Sequence, residues 1–164
     1  CNVDEGSALS GNEFTKKIED YAKDNNSEVL LISAKIESEI SQIVDEKDKQ
    51  DFLGSMGLSE TGLKRVIRKG YEILNYINYF TAGEKELRAW TIIKGSLAPS
   101  AAGTIHSDME KGFIRAETIS FNDYIVNNGE SGAKEKGKLR LEGKEYEVKD
   151  GAVSYTHLTL PTSV

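Results

Sequence analysis

The pattern of apolar residues changes near residue 80 of this chain. Between residues 35 and 78, apolar side chains recur at helical spacing, as at Ile36, Ile40 and Val44. Later runs rich in β-branched and aromatic residues are separated by glycines, and they predict strands over residues 88–93, 113–119, 138–141 and 145–148. We therefore predict two parts that divide between residues 78 and 83, the second being a small α+β domain.

The first part contains the elements of an incomplete α/β domain. Residues 10–13 have the S-x-x-E spacing of a capping box, which predicts a helix from about Asn12 to Lys23. The apolar run over residues 28–33 is typical of a strand buried on both faces of a sheet. A helix followed by such a strand is half of a βαβ unit, and the neighbouring strands are not found in this chain. Because the chain also begins at Cys1 without Met, we expect a fragment of a longer protein.

Composition excludes several classes of protein. The chain has 164 residues, and no apolar run approaches the roughly 20 residues that a membrane-spanning helix needs. Its single Cys cannot form an internal disulfide or a Cys-based zinc site, which fits a reducing cytosol. A formal net charge of -6 argues against a general nucleic-acid coat.

Two short polar segments each follow a predicted strand end. The first is Asn2-Val3-Asp4-Glu5 and the second is Ser33-Ala34-Lys35. Their spacing suits a purine-binding site, in which an acidic side chain accepts N–H groups from the base. Taken alone, the first segment is better explained as an ordinary Asx turn, and Lys35 could be a solvated surface lysine.

Long stretches of the second part match a known family closely. They are YFTAGEKELRAWTI (residues 79–92), APSAAGTIHSD (residues 98–108) and EKGFIRAE (residues 110–117). Together with the N-x-x-E and S-A-K segments, they resemble the YchF or Obg-like ATPase family, a P-loop branch of the Obg-like GTPases. The resemblance extends over residues 2–151.

The resemblance implies a fold and its domain limits. Residues 1–77 would form an α/β fragment, the end of a P-loop G-type domain, with a helical connector. Residues 78–153 would form a TGS domain, an α+β domain of the β-grasp (ubiquitin-like) fold. Residues 154–164 depart from the family pattern and look like translated vector sequence, so we expect a non-native tail there.

The resemblance also implies an activity for the parent protein, which would bind the ribosome and hydrolyse ATP in preference to GTP. Asn2 would brace its loop and contact the purine edge, Val3 would lie beside it, and Glu5 would govern the choice of base. In GTPases of this class the motif is N-K-x-D, and the Asp accepts two N–H groups from guanine. The longer acid Glu5 and the replacement of Lys by Val3 make a guanine-specific site doubtful. The backbone of Ser33, Ala34 and Lys35 would close over the base.

The expected cofactors of the parent are ATP and Mg²⁺. The P-loop and the Mg²⁺-binding hydroxyl of the family would lie upstream of Cys1, so we expect this chain alone to be inactive and assign it no catalytic or metal-binding residue. The expected partner is the ribosome or ribosomal RNA. No membrane or DNA partner is expected, and the protein is expected to be monomeric and cytoplasmic.

Five cations in the second part form a set that we call the basic cluster. Alternation along a strand would place Lys138, Arg140 and Lys144 on one side with Glu142, within a predicted hairpin over residues 139–148. Such a face could contact RNA phosphates, although from the sequence alone a solvated face diluted by acidic residues is the better explanation. The full set is Lys134, Lys136, Lys138, Arg140 and Lys144.

Two alternatives to the ATPase interpretation remain. The chain could act as an RNA- or ribosome-binding TGS module that is indifferent to nucleotide. A TGS regulator of the stringent-response or synthetase type is a third possibility, against which the Asn2 and Ser33 segments count.

A lone histidine such as His106 is more often structural than catalytic. Four aromatic residues of the second part could stack on bases, but aromatic residues in a small domain more often belong to the core. These aromatic residues are Trp90, Phe113, Tyr124 and Tyr146.

Overall fold

The structure is a computed structural model that describes residues 1–83 and 86–158. It divides into two compact units, Cys1–Gly70 and Tyr71–Val164. The first unit is helical and the second is built on a five-stranded sheet, so the chain is a mixed α/β protein.

Helices account for most of the first unit. A short 3-10 helix, Glu5–Ser7, precedes four α-helices. These are α1 (Glu13–Asp24), α2 (Ala34–Gln42), α3 (Glu46–Ser55) and α4 (Gly62–Ile73), the last of which continues into the second unit. The predicted first helix is present, but its cap is different. Asn12 and Thr15 form the capping box, in place of the predicted Ser10 and Glu13, because the Asn12 side chain accepts the free N–H groups of Phe14 and Thr15.

The prediction of a strand over residues 28–33 is wrong. This segment makes a single parallel bridge, between Asn2 and Ile32, and residues 29–32 are only partly buried. Residues 1–3 run alongside it, and one bridge is all that such a short neighbour supports. Its apolar side chains therefore lie in an extended loop.

The core of the first unit is small. Ala8, Ile36, Ile40 and Leu53 are its buried members. By contrast, apolar side chains of α1 and α4 remain exposed, among them Phe14 at 65% and Leu63 at 63%. The helical periodicity in the sequence therefore identifies the helices correctly without showing which faces are covered.

Five strands form one sheet in the second unit. They are β1 (Tyr76–Ala82), β2 (Leu87–Ile93), β3 (Phe113–Ser120), β4 (Arg140–Glu142) and β5 (Ala152–Leu158). Their order across the sheet is β2-β1-β5-β3-β4. The central strand β5 runs parallel to β1, and the pairs β1/β2, β3/β5 and β3/β4 are antiparallel.

Short helices connect the strands. They are α5 (Ala98–Gly103), α6 (Ser107–Lys111), α7 (Phe121–Val126) and α8 (Glu130–Glu135). The alanines of α5 are buried with Tyr79, Phe113 and Ala152, which places the main core between α5 and one face of the sheet. Tyr79 completes this packing because its hydroxyl donates to the Ala101 carbonyl at 2.8 Å. On the opposite face, the ring of Phe80 lies 5.8 Å from that of Phe121 at the start of α7.

Several predictions for the second part need correction. Two of the predicted strands are present, since residues 88–93 lie in β2 and residues 113–119 lie in β3. The hairpin predicted over residues 139–148 is wrong. β4 pairs with β3, and Glu147 bridges instead to Leu97. The helical interpretation up to residue 78 is also wrong at its end, because β1 begins at Tyr76.

The segment predicted to be a non-native tail contributes to the sheet. Strand β5 begins at Ala152 and ends at Leu158, so residues 154–158 lie in its central strand. The rest of that segment, residues 159–164, is outside the described residues. No helix in the described part of the chain is long and apolar enough to span a membrane.

Candidate functional site

The two polar segments predicted from the sequence lie side by side in the first unit. The Val3 N–H donates to the Ile32 carbonyl at 2.8 Å, and the Ile32 N–H donates to the Cys1 carbonyl at 2.9 Å. This short parallel pairing sets Asn2 against the turn that leads into α2. All six candidate residues for base contact therefore lie in two adjacent segments, the first ending in the 3-10 helix at Glu5 and the second entering α2 at Ala34 and Lys35; we call these segments the two loops.

Asn2 links the two loops through its side chain. Its Oδ1 accepts a hydrogen bond from the Ala34 N–H at 3.0 Å, across 32 residues of sequence. Ala34 is the first residue of α2, where N–H groups lack partners within the helix. The Asn2 side chain thus stabilises the start of α2 and holds the two loops at a fixed distance from each other.

Asp4 and Glu5 have different environments although they are adjacent. The Asp4 carboxylate caps the 3-10 helix, accepting from the Ser7 N–H at 2.9 Å and from the Ser7 hydroxyl at 3.1 Å. Glu5 instead directs its carboxylate at Lys35 of the other loop. Asp4 is therefore a structural residue, and Glu5 is the acid available to a ligand.

An ion pair joins the two loops where the candidate residues meet. Lys35 Nζ lies 2.6 Å from Glu5 Oε1 and 4.0 Å from Glu39 Oε1. The hydrogen bond to Glu5 raises the pKa of Lys35, and the negative charges of Glu5 and Glu39 raise it further. With 71% of the Lys35 side chain and 38% of the Glu5 side chain exposed, the pair offers solvent a donor and an acceptor next to each other.

Ser33, together with Arg65 and Glu37, which the sequence did not suggest, holds the second loop and α2 in place. Ser33 is buried and its hydroxyl caps α2 by accepting from the Ile36 N–H at 3.5 Å. The Arg65 guanidinium donates to the Leu31 carbonyl. Glu37 bonds to the first turn of α4 through Gly62 and Leu63. The partners of Arg65 and Glu37 are 25 to 34 residues away in the chain, so no local pattern could reveal them.

The basic cluster is more dispersed than predicted. All five cations are exposed, but they belong to different elements: Lys134 to α8, Arg140 to β4 and Lys144 to a turn. The predicted alternation on one side of a strand extends over residues 140–142 alone, because β4 is three residues long. Lys138 lies 3.5 Å from Asp123 and Arg140 lies 3.2 Å from Glu142, so acidic neighbours partly neutralise both cations.

His106 and three of the aromatic residues have structural positions. The His106 Nδ1 accepts from the Asp108 N–H at 3.2 Å and so caps α6. Phe113 is buried in the main core, and Trp90 and Tyr146 pack against it. Within residues 1–83 and 86–158, no group of three or more His, Cys, Asp or Glu side chains is placed to hold a metal ion.

The comparison with known families is decisive for the second unit. The family profile YchF-GTPase_C, described as a protein of unknown function (DUF933), matches residues 76–158, about half of the chain. The chain belongs to the YchF-GTPase_C family. The match includes all five strands of the sheet, and it confirms the resemblance found in the sequence.

Individual relatives extend the similarity to the first unit. The chain is 53% identical over 150 residues to the ribosome-binding ATPase YchF of Bacillus subtilis (strain 168), covering 92% of this chain and 41% of the relative. It is 51% identical over 153 residues to the ribosome-binding ATPase YchF of Escherichia coli O157:H7, covering 93% and 42%. The solved structure of the Schizosaccharomyces pombe YchF GTPase superposes with a TM-score of 0.78 at 31% identity, covering 95% and 42%. The chain thus spans about two fifths of the length of the YchF relatives it matches.

Proposed function

We propose that this chain is the C-terminal part of a cytoplasmic, ribosome-binding ATPase of the YchF family. The relatives with about 50% identity are named ribosome-binding ATPases, and the similarity extends across both units. In this proposal the loops of the first unit contact the purine base of ATP, and the second unit contacts the ribosome. Hydrolysis, and the Mg²⁺ that supports it, belong to the parent protein, so we derive no chemical step from the residues described here.

The observation that carries the base-contact proposal is the Asn2–Ala34 hydrogen bond. This bond is made within the chain and fixes the separation of the two loops, which supports an arrangement of their polar groups around one base. A site that is largely formed before binding loses less entropy when the ligand arrives. The backbone of Ser33 to Lys35 would then lie over the base, while Asn2 and Glu5 would reach its edge and Val3 would pack beside it.

The ion pair between Glu5 and Lys35 supports a preference for ATP. Recognition of guanine by a carboxylate uses both oxygens as acceptors of N–H groups, and Lys35 Nζ, 2.6 Å from Glu5 Oε1, would compete for one of them. The other oxygen would be free of this competition and could accept an N–H of the adenine amino group. Lys35 would at the same time donate to a ring nitrogen.

The sheet of the second unit supports the assignment of a TGS domain with the β-grasp fold. The strand order β2-β1-β5-β3-β4, with a parallel central pair and a helix packed on one face, is the arrangement of ubiquitin-like folds. On this domain the basic cluster is our candidate for contact with ribosomal RNA, because all its members are exposed. Their contacts would be with phosphates, so they would weaken as salt rises.

Nucleotide titrations followed by NMR test the base-contact proposal. We expect ATP to shift the amide signals of residues 2–5 and 33–35 more than GTP does at the same concentration. Asn2→Ala should abolish most of this response, because the loops lose the bond that links them. Asn25→Ala, at the C-cap of α1, is the control and should behave as the parent does. Equal responses to ATP and GTP would contradict the proposed preference, and no response to either would contradict base contact.

Co-sedimentation with ribosomes tests the role of the second unit. The double variant Lys138→Glu, Arg140→Glu should bind more weakly and with a salt dependence reduced by about two charges. The control Lys16→Glu, Lys17→Glu reverses the same amount of charge on α1 and should bind like the parent. Unchanged binding of the first variant would remove the basic cluster from the proposal. Ribosome binding without any response to ATP would favour the nucleotide-independent module instead.

A further inference from the structure

Strand β2 lies at an edge of the sheet, and its outer backbone groups have no partner strand within residues 1–83 and 86–158. The hydrogen bonds at the two ends of the β1/β2 ladder show which residues of β2 bond to β1 and which face outward. The Lys94 N–H donates to the Asn75 carbonyl at 2.7 Å, and the Gly83 N–H donates to the Glu86 carbonyl at 2.9 Å. Bonded pairs alternate along an antiparallel ladder, so residues 88, 90 and 92 bond to β1. The N–H and C=O groups of residues 87, 89, 91 and 93 therefore point outward.

This edge lacks the features by which proteins usually prevent strand addition. Such features are lysine or proline within the strand, a bulge, or a very short strand. β2 contains neither residue type, and its seven residues pair with β1 in an unbroken register. Its one charge, Arg88, lies over the ring of Trp90 at 4.2 Å and 3.8 Å from Glu86. Leu87 and Ile93 are 75% and 60% exposed at the two ends of the strand.

The outward-bonding residues also border an apolar groove. Their side chains share one face of the sheet with Phe80, because Phe80 pairs with Ala89. Leu87, Ala89 and Phe80 line a cavity of about 340 Å³ together with Phe121 and Ile125 of α7. A strand added to β2 would extend this face, and its own side chains would cover the exposed ends of β2.

The sequence of β2 is complementary to itself in the antiparallel direction. When two copies pair about a twofold axis at Trp90, all seven residues of each strand are used. Leu87 of each copy then lies opposite Ile93 of the other, so that the two most exposed apolar residues of β2 cover each other. Just beyond them, Glu86, which within its own chain lies 3.8 Å from Arg88, would lie opposite Lys94 of the other copy, twice by symmetry. Opposite charges and apolar pairs across strands both stabilise a sheet.

The position of Trp90 sets the register of this pairing. Trp90 bonds to β1, so the Trp90 pair on the axis would be of the non-hydrogen-bonded kind, with Cα atoms about 4.5 Å apart. The Trp90 indole N–H donates to Thr81 Oγ1 of β1 at 3.0 Å, so the ring lies towards β1 and the contact across the axis would be made by backbone and Cβ atoms. Each pair is supplied by this strand alone, which favours a second copy of the chain over an unrelated extended segment.

We propose that β2 pairs antiparallel with β2 of a second copy of this chain, centred on Trp90, to form a twofold dimer with a continuous ten-stranded sheet. This proposal departs from the monomer expected from the sequence. It is independent of nucleotide or ribosome binding, since it uses neither the loops of the first unit nor the basic cluster.

Sedimentation velocity of the whole 164-residue chain, from about 1 µM to about 1 mM, tests the proposal over the range of weak protein association. We expect a concentration-dependent shift from monomer to dimer. Trp90 is the one tryptophan in the chain, so its emission should move to shorter wavelength over the same range. A chain that remains monomeric throughout overturns the proposal.

Charge reversal tests the register. Lys94→Glu and Glu86→Lys should each weaken the dimer about tenfold, because each places like charges opposite one another at two symmetric positions. The double variant should restore dimerisation, whereas Lys136→Glu, an exposed reversal on another element, should leave it unchanged. Equal dimerisation of the parent and both single variants overturns the register.

Ala89→Pro tests the backbone pairing itself. The Ala89 N–H points away from β1, so proline removes an intermolecular donor without removing a bond of the monomer. We expect this variant to be monomeric while its far-ultraviolet circular dichroism matches that of the parent. A dimer of parental strength from the folded proline variant overturns the proposal.

Discussion

Glu37 joins two helices of the first unit through a single carboxylate, and its removal should have a measurable cost. Its Oε1 accepts from the Gly62 N–H at 2.6 Å and its Oε2 accepts from the Leu63 N–H at 3.2 Å. These donors belong to the first turn of α4, where helix N–H groups have no internal partner and a negative charge is favourable. One carboxylate therefore caps α4 and fixes it to α2, the helix that begins at the candidate site.

The two bonds allow the cost of Glu37→Ala to be worked out. The bond to Gly62 is partly buried and charge-assisted, which contributes about 1.5 kcal/mol. The bond to Leu63 is exposed and longer, and with the favourable charge at the helix start it adds about 1 kcal/mol. Alanine has a higher helix propensity than glutamate, which offsets this loss of stability by about 0.3 kcal/mol. We expect a net loss of about 2 kcal/mol, and about half of that for Glu37→Gln, which keeps one acceptor oxygen.

Amide hydrogen exchange and urea denaturation measure this loss. A loss of about 2 kcal/mol corresponds to roughly thirtyfold faster exchange at Gly62 and Leu63 when they exchange by local opening. Glu39→Ala is the matched control, because Glu39 lies on the same helix and makes only an exposed ion pair at 4.0 Å. It should change stability by less than about 0.5 kcal/mol. Unchanged exchange at Gly62 in Glu37→Ala would refute the assignment of a cap.

Further predictions concern glycines and pH. Gly54→Ala should stabilise the first unit by about 0.5 to 1 kcal/mol in thermal unfolding, because Gly54 lies within α3 with no atom within 4 Å of an added Cβ. Gly132→Ala should destabilise the second unit by more than about 2 kcal/mol, since its Cβ would lie 1.9 Å from the Asn127 carbonyl oxygen; a smaller loss would contradict this packing. Burial raises the pKa of Tyr79, and burial and the neighbouring Tyr124 hydroxyl raise that of Tyr155. Both groups stay neutral in the folded state while the unfolded state ionises above pH of about 10, so the urea midpoint should fall as pH rises past 10 and fall less in Tyr79→Phe.

The sequence predicts the second unit better than the first. Strands β2 and β3 combine β-branched and aromatic runs with glycine boundaries, and both form where the pattern indicates. The hairpin over residues 139–148 fails because alternation is a local signal, whereas β4 pairs with β3, more than 20 residues earlier in the chain. Likewise, the run over residues 28–33 has the composition of a strand, but a strand also needs neighbours, and only residues 1–3 lie beside it.

The candidate site is predictable in its residues and not in its contacts. The N-x-x-E and S-A-K segments identify two loops, and the structure brings those loops together. The ion pair between Glu5 and Lys35 depends on the rotamers of two long side chains 30 residues apart, so no spacing rule anticipates it. The same holds for Glu37, whose role depends on where α4 begins in space. Contact of these loops with a base stays a prediction.

The central position of β5 has a consequence for synthesis of the protein. A ribosome makes β1 to β4 before it makes the strand that lies between β1 and β3. Until then the β1/β2 hairpin and the β3/β4 pair cannot be joined, and each keeps an unpaired edge on the side that β5 will occupy. Contacts between segments some 70 residues apart form slowly, and open edges favour association with the wrong chain. The nascent second unit is therefore most in need of a chaperone just before residues 152–158 emerge.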